Sequence, residues 1–235
     1  MFKPSPLRKR QYIGTLIGIT IGIIIYVLLP LKQNEDLLSL GPMNTGHENL
    51  SCYTCHSPAR GTLMQQIQSN IAYTFGQRKT DADFGTQNVD NKKCLSCHDR
   101  PNDRHPVHRF KEPRFKDAMA NINAQQCETC HKEHNGVRIV LSEVNFCFNC
   151  HTDIEVKNDP LDIPHTTLAK NEQWNTCIQC HDFHGNHLYN LAQVLKDTIP
   201  MSQIIDYLHG GKDPFSDKKK FLPLSEEEWV EKEKK

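Results

Sequence analysis

The sequence has no excess of charge of either sign and few apolar side chains. Its 28 basic and 28 acidic residues give a formal net charge of zero, so it lacks the positive surface on which nucleic-acid binding depends. Hydrophobic residues make up 37% of the chain and aromatic residues 8%. Part of that apolar content lies in one N-terminal stretch. Something other than leucine and valine must therefore fill the interior of the remaining chain.

No cysteine lies outside a C-x-x-C pair, and each pair is followed at once by a histidine. The sequence C-x-x-C-H is the attachment signal for haem c: two thiols bond the vinyl groups of one porphyrin, and the histidine ligates its iron. Five motifs predict five covalent haem c groups. The attachment residues are Cys52, Cys55, Cys94, Cys97, Cys127, Cys130, Cys147, Cys150, Cys177 and Cys180. The proximal iron ligands are His56, His98, His131, His151 and His181.

Zinc binding and disulfide formation are the alternatives for these cysteines. Structural zinc sites combine two C-x-x-C units per metal, so five units leave one unmatched, and they need no histidine after each pair. Redox-active C-x-x-C motifs occur in thioredoxin-like folds with a βαβ pattern, which this sequence lacks. Other catalytic signatures are absent too, including G-x-S-x-G and the phosphate and dinucleotide loops.

One stretch, Tyr12–Leu29, has no charged side chain and is followed by Pro30. Its length is close to the lower limit for a membrane-spanning helix and exceeds a typical signal-peptide core. The basic residues before it are Lys3, Arg8, Lys9 and Arg10. They predict a single-pass anchor in a bacterial inner membrane, with a cytoplasmic N-terminus and a periplasmic haem domain. A cleaved signal peptide is the alternative.

Three glycines in this stretch, Gly14, Gly18 and Gly22, recur every four residues. They share one helix face and form two overlapping G-x-x-x-G units, which allow a second helix to approach closely. Glycine is also common in membrane helices in general. We interpret the face as a contact with a membrane-protein partner or a second copy of the chain.

The predicted fold is mostly α with extensive loops, organised around stacked haems. Spaced apolar residues indicate helices at 61–75, 114–126 and 188–208, and no alternating strand pattern is evident. Ser225 and Glu228 form a capping-box pattern that predicts a short charged helix at a frayed, solvated terminus. The predicted domains are a basic N-terminus and transmembrane anchor (1–30), a linker (31–46), a pentahaem domain (47–190) and a charged helical extension (191–235).

An internal repeat relates residues 94–134 to residues 147–184. Each block holds two haem motifs, at least one histidine between them and a C-H-x-x-H ending. The first motif stands alone. The architecture is therefore one haem followed by two related dihaem units.

Eight histidines lie outside the motifs and are candidates for the distal iron ligands. The repeat makes His108 equivalent to His165 and His134 equivalent to His184, and His47 completes a set of five. His105 and His187 are the alternative ligands, each three residues from a favoured one. His209 is interpreted as a helix-end residue. Methionine is the other common axial ligand, and the methionines to consider are Met43, Met64 and Met119.

The paired motifs and C-H-x-x-H endings resemble class III and related paired-motif multihaem cytochromes, and the N-terminal anchor is similar to that of the NapC/NirT family. The resemblance covers the motifs and layout only. It implies bis-histidine haems in contact with one another. NapC/NirT proteins tend to carry a methionine shortly after the first motif, near the quinol site, whereas Ser57-Pro58-Ala59 follows His56 here.

The leading functional hypothesis is an electron carrier that relays electrons between membrane and periplasmic redox partners as part of a membrane complex. Iron with two histidine ligands has no vacant position for a substrate. The enzymatic alternatives are a quinol dehydrogenase and a reductase with one open-coordination haem. A third possibility is a structural haem subunit similar to the anchored pentahaem subunit of alternative complex III.

Overall fold

The computed structural model describes residues 6–28, 39–140 and 146–235. The chain separates into two compact units, Met1–Pro42 and Met43–Lys235, and all five motifs lie in the second. Lys3, Leu29, Pro30 and the first half of the predicted linker lie outside the described residues. The predicted domain boundaries stay a prediction.

The first unit contains one helix, α1 (Pro6–Leu28). Its apolar side chains are exposed along its length; Leu16 is 69% exposed and Ile23 58%. By length and hydropathy, none of the helices in the described part of the chain qualifies as a membrane span. The structure therefore does not support the predicted transmembrane helix.

The second unit is built from short helices joined by loops, as predicted. Its α-helices are α2 (Cys52–Cys55), α3 (Leu63–Thr74), α4 (Asn91–Cys97), α5 (Lys116–Ile122), α6 (Phe148–His151), α7 (His165–Lys170), α8 (Cys177–Cys180), α9 (Met201–Leu208) and α10 (Glu226–Glu233). Within the residues that the structure describes, 3-10 turns lie at Arg109–Lys111, Pro113–Phe115, Cys127–Thr129, Trp174–Thr176 and Leu195–Asp197. The described residues contain no strand, only isolated β-bridges at Pro58–Thr86 and His187–Lys219.

The helix predicted at 61–75 forms as α3, whereas those predicted at 114–126 and 188–208 are shorter. Asn123 adopts a left-handed conformation, with φ of 45°, and ends α5. Pro200 precedes α9 and starts it late, because proline lacks the backbone N–H that a helix interior needs. Upstream of it, Leu188 donates its backbone N–H to Lys218 instead of to a helical partner.

The polypeptide buries few apolar side chains. Among the described residues, the buried hydrophobic set is Ala59, Ala118, Leu168 and Ile204. Full burial of a leucine-sized side chain stabilises a fold by about 1.5–3 kcal/mol, so this set cannot offset the conformational entropy of a unit of this size. A prosthetic group that supplies the missing apolar surface fits this composition.

Helix α10 packs on other parts of the second unit, to which it belongs. The prediction of a frayed terminus was therefore wrong. The predicted capping box does form: the Ser225 hydroxyl accepts from the Glu228 backbone N–H, and the Glu228 carboxylate accepts from the Ser225 N–H. The indole N–H of Trp229 donates to the Ser96 hydroxyl at 3.0 Å. Sequence patterns indicated the helix but not the surface that receives it.

Candidate haem centres

Every C-x-x-C-H motif forms the same single turn. In each, the backbone N–H of the histidine donates to the carbonyl of the first cysteine four residues earlier, as in one turn of α-helix. The distances are 2.9 Å for His56–Cys52, 3.0 Å for His98–Cys94, 2.9 Å for His131–Cys127, 3.0 Å for His151–Cys147 and 2.7 Å for His181–Cys177. Because residues three and four apart share a helix face, both thiols and the imidazole lie on one side of the turn.

All ten cysteines lie in the described residues, and none of them forms a disulfide. Elsewhere in the described part of the chain, no group of three or more histidine, cysteine or acidic side chains is arranged to hold a bare metal ion. A haem iron makes a smaller demand on the protein, since the porphyrin supplies four of its ligands. Two thiols and one imidazole per turn suit that group.

Each motif histidine faces one histidine from outside the motifs. Two imidazoles that ligate one metal from opposite sides, each with a nitrogen about 2 Å from it, have ring centroids about 6 Å apart. The observed centroid distances are 6.3 Å for His56–His134, 5.9 Å for His47–His98, 6.2 Å for His131–His184, 6.2 Å for His105–His151 and 6.2 Å for His165–His181. We number the sites 1 to 5 in the order of their motif histidines.

His105, which sequence analysis gave as an alternative, is the histidine opposite His151. Its Nδ1 lies 2.5 Å from the Phe183 carbonyl oxygen, and its ring stacks on Phe183 at 4.2 Å. His108, the favoured residue, is exposed at the start of the 3-10 turn Arg109–Lys111. The structure brings no motif histidine, within the ranges described, into ring contact with His108.

His187, the other alternative, has neither ring nitrogen available to iron. Its Nδ1 lies 2.6 Å from an Asp182 carboxylate oxygen, and its Nε2 lies 2.6 Å from Asp213. Burial lowers the pKa of His187, but the hydrogen bonds to both carboxylates outweigh burial and raise it. Burial would raise the pKa of Asp182, yet the bond from His187 helps hold it at about 2. The two carboxylates therefore favour the protonated form of this buried histidine.

Carboxylates hold three of the facing histidines by Nδ1. His47 lies 2.6 Å from Glu133, His165 lies 2.8 Å from Asp159, and His184 lies 3.0 Å from Asp103. Such a bond directs Nε2 towards the metal and increases the basicity of the ligand. No pattern in the sequence indicated these acidic residues.

Burial keeps two of the motif imidazoles neutral. Burial, followed by repulsion from the neighbouring ring of His47, lowers the pKa of His98 to about 4. Burial and then the ring of His184 lower the pKa of His131 to about 4. A neutral imidazole keeps the lone pair that a metal needs.

Residues 44–152, which contain four of the five motifs, match the family model described as Cytochrome c3. The match begins after α1 and ends before site 5. No curated protein and no solved structure was found to match the chain. Together with the motif turns, the family match identifies the protein as a multihaem c-type cytochrome. Its haem c is covalently bound, and its class transfers electrons.

Proposed function

We propose that this cytochrome carries five haem c groups, each ligated by two histidines, and relays electrons along them in sequence order. The observation that carries the proposal is the separation of 5.9–6.3 Å in all five histidine pairs. When bound, each haem supplies an iron that changes between the ferric and ferrous states.

The distal ligands in this proposal tie distant parts of the chain together. His134, three residues after the motif histidine of site 3, serves site 1. His184, three residues after that of site 5, serves site 3. His47, His105 and His165 serve sites 2, 4 and 5. Each C-H-x-x-H ending therefore supplies one proximal and one distal ligand to two different sites.

Contacts between neighbouring sites support the order from 1 to 5. His47 of site 2 hydrogen-bonds Glu133, which adjoins His134 of site 1. The side chains of Cys94 and Cys127, at sites 2 and 3, lie next to each other, as do those of Cys147 and Cys177 at sites 4 and 5.

The link between sites 3 and 4 is an aromatic ring. The Phe183 ring lies 4.2 Å from that of His105 at site 4 and 5.0 Å from that of His184 at site 3. Sites 2 and 3 form one repeat, and sites 4 and 5 form the other. Each haem has a close neighbour on this arrangement, as short-range electron transfer requires.

In the oxidised protein, we expect low-temperature electron paramagnetic resonance to show only low-spin ferric haem, because two imidazoles per iron give a strong ligand field. The reduced protein should not bind carbon monoxide. A high-spin signal, or carbon monoxide binding to the native protein, would show an open iron position and favour the reductase hypothesis.

We propose further that α1 attaches the haem domain to the inner membrane as a single-pass anchor, with the haem domain in the periplasm. The support is the apolar surface of α1, whose side chains are exposed along its length, and the basic residues at its N-terminal end. Among the described residues, a Cβ added at Gly14, Gly18 or Gly22 would meet nothing within 4 Å beyond its own turn of helix, which suits close approach by a partner helix.

The protein is expected to stay in the membrane pellet after alkaline carbonate washing, and to become soluble when residues 1–30 are replaced by a cleavable signal peptide. Gly18→Leu should abolish association with a co-purifying partner, or dimer formation, in detergent. Thr20→Leu, on another face of the helix, should leave this association unchanged. Release of the intact protein by carbonate would contradict the anchor. Equal association of both variants would contradict the glycine contact.

A further inference from the structure

The C-terminal helix α10 lies against the motif turn of site 1. Glu226 Oε1 accepts hydrogen bonds from the Ser51 hydroxyl at 2.7 Å and the Thr54 hydroxyl at 2.5 Å. Thr54 is buried and lies between the two attachment cysteines of site 1. A carboxylate is thus held beside the segment that attaches the first haem.

The same helix also holds the motif turn of site 2. The Trp229 indole N–H donates to the Ser96 hydroxyl at 3.0 Å, and Lys232 donates to the Ser96 carbonyl at 3.2 Å. The Lys93 ammonium lies 4.1 Å from the centroid of the Trp229 ring, in a cation–π contact. Ser96 occupies the same position in its motif as Thr54 in the first.

Residues immediately before α10 are fixed as well. The Leu224 backbone N–H donates to the Cys97 carbonyl at 3.0 Å. Phe221 exchanges two hydrogen bonds with the side-chain amide of Asn186, at 2.8 and 3.0 Å. Glu226 and Trp229, three residues apart, share a helix face. The C-terminal segment therefore contacts the motif turns of both site 2 and site 1.

We infer that α10 positions site 1 against site 2, and that the Glu226 carboxylate lowers the reduction potential of the haem at site 1. The inference rests on the five-haem assignment proposed above. Site 1 lies outside the two repeats, and within each repeat the first cysteines of the two neighbouring motifs lie next to each other. A fixed negative charge stabilises ferric over ferrous haem. The family match ends at residue 152, so α10 lies outside the matched region.

The test compares Glu226→Gln with Glu227→Gln in the full-length holoprotein. Both remove one negative charge from adjacent positions, but Glu227 is exposed. Intact mass first establishes that both variants carry the same number of haems as the native protein. A different haem number in the native protein would count against the proposed function, not against this inference.

Potentiometric titration followed by electron paramagnetic resonance then resolves the individual haems. In Glu226→Gln, the ratio of reduced to oxidised form of one haem should rise about fivefold at a fixed potential. A change of this size is expected for the loss of a half-buried charge. The other haems and all of Glu227→Gln should be unchanged. Equal shifts in both variants, or no shift in either, would overturn the inference.

Trp229→Phe provides a second test that does not change the charge. Phenylalanine keeps a ring below Lys93 but has no N–H for Ser96, so the magnetic coupling between the haems at sites 1 and 2 should weaken. Coupling equal to that of the native protein would overturn the positioning role. If Glu226→Gln fails to retain haem, Trp229→Phe still tests whether α10 positions site 1 against site 2.

Discussion

Replacing His105 by alanine is expected to open one iron of five, whereas replacing His108 by alanine should leave all five closed. The His105 ring faces the motif histidine of site 4 at 6.2 Å, and His108 is exposed. The two residues lie three positions apart in one loop, so they form a matched pair. Spectra of His105→Ala should show one high-spin haem per chain, which binds carbon monoxide when reduced.

Methionine at position 105 gives a finer version of this test. A thioether ligand raises the potential of a haem relative to imidazole, so His105→Met should shift one potential upward without a high-spin signal. The reverse result, an open iron in His108→Ala and none in His105→Ala, would restore the ligand set that the repeat alone predicts.

The second large effect, on stability, is expected from replacing His187, which binds two carboxylates and no iron. Its side chain is 5% exposed, and those of Asp182 and Asp213 are 11% and 15% exposed. Removing one partner from a buried ion pair leaves an uncompensated charge and costs about 3–5 kcal/mol. His187→Gln should lower the urea midpoint markedly while all haems stay low-spin. His209→Gln, at an exposed position, is the control.

The pH dependence of this stabilisation follows from the two pKa shifts. The raised pKa of His187 means that its contribution is complete below about pH 6.5 and is lost as the pH rises through the folded-state value. The lowered pKa of Asp182 means that its contribution is lost as the pH falls from about 4 towards about 2. The difference in stability between the native protein and His187→Gln should therefore shrink at alkaline pH. A difference that grows as the pH becomes alkaline, or an open iron in His187→Gln, would contradict the assignment.

The proximal half of each site could be predicted from sequence because it is local. Two cysteines and a histidine within five residues fold into one turn whose hydrogen bond joins the first residue to the last. No distant part of the chain is needed. The family match supports the class of protein that those five motifs predicted.

The distal half could not be predicted with the same certainty, since it depends on which loops meet. The repeat related His108 to His165, but the two linking segments fold differently. His165 opens α7, with both its backbone N–H and its ring bonded to Asp159. In the other repeat it is His105 whose backbone N–H is bonded to an aspartate, Asp103.

The acidic partners and the C-terminal helix show a second limit of sequence reasoning. Glu133 lies next to His134 in the sequence, yet it binds the ring of His47, which is 86 residues away. Glu226 and Ser51 are 175 residues apart. Contacts of this kind have no periodic signature in a single sequence. The capping box fixed the start of α10 but gave no sign that the helix would hold two haem motifs.

The intact mass of the mature protein tests the central claim most directly. Five thioether-linked haems should add about 3 kDa to the polypeptide, about 0.6 kDa for each motif, and the addition should survive denaturation because the bonds are covalent. A denatured protein that carried fewer than five such increments, with the unmodified motif cysteines still reactive towards alkylating agents, would contradict the account.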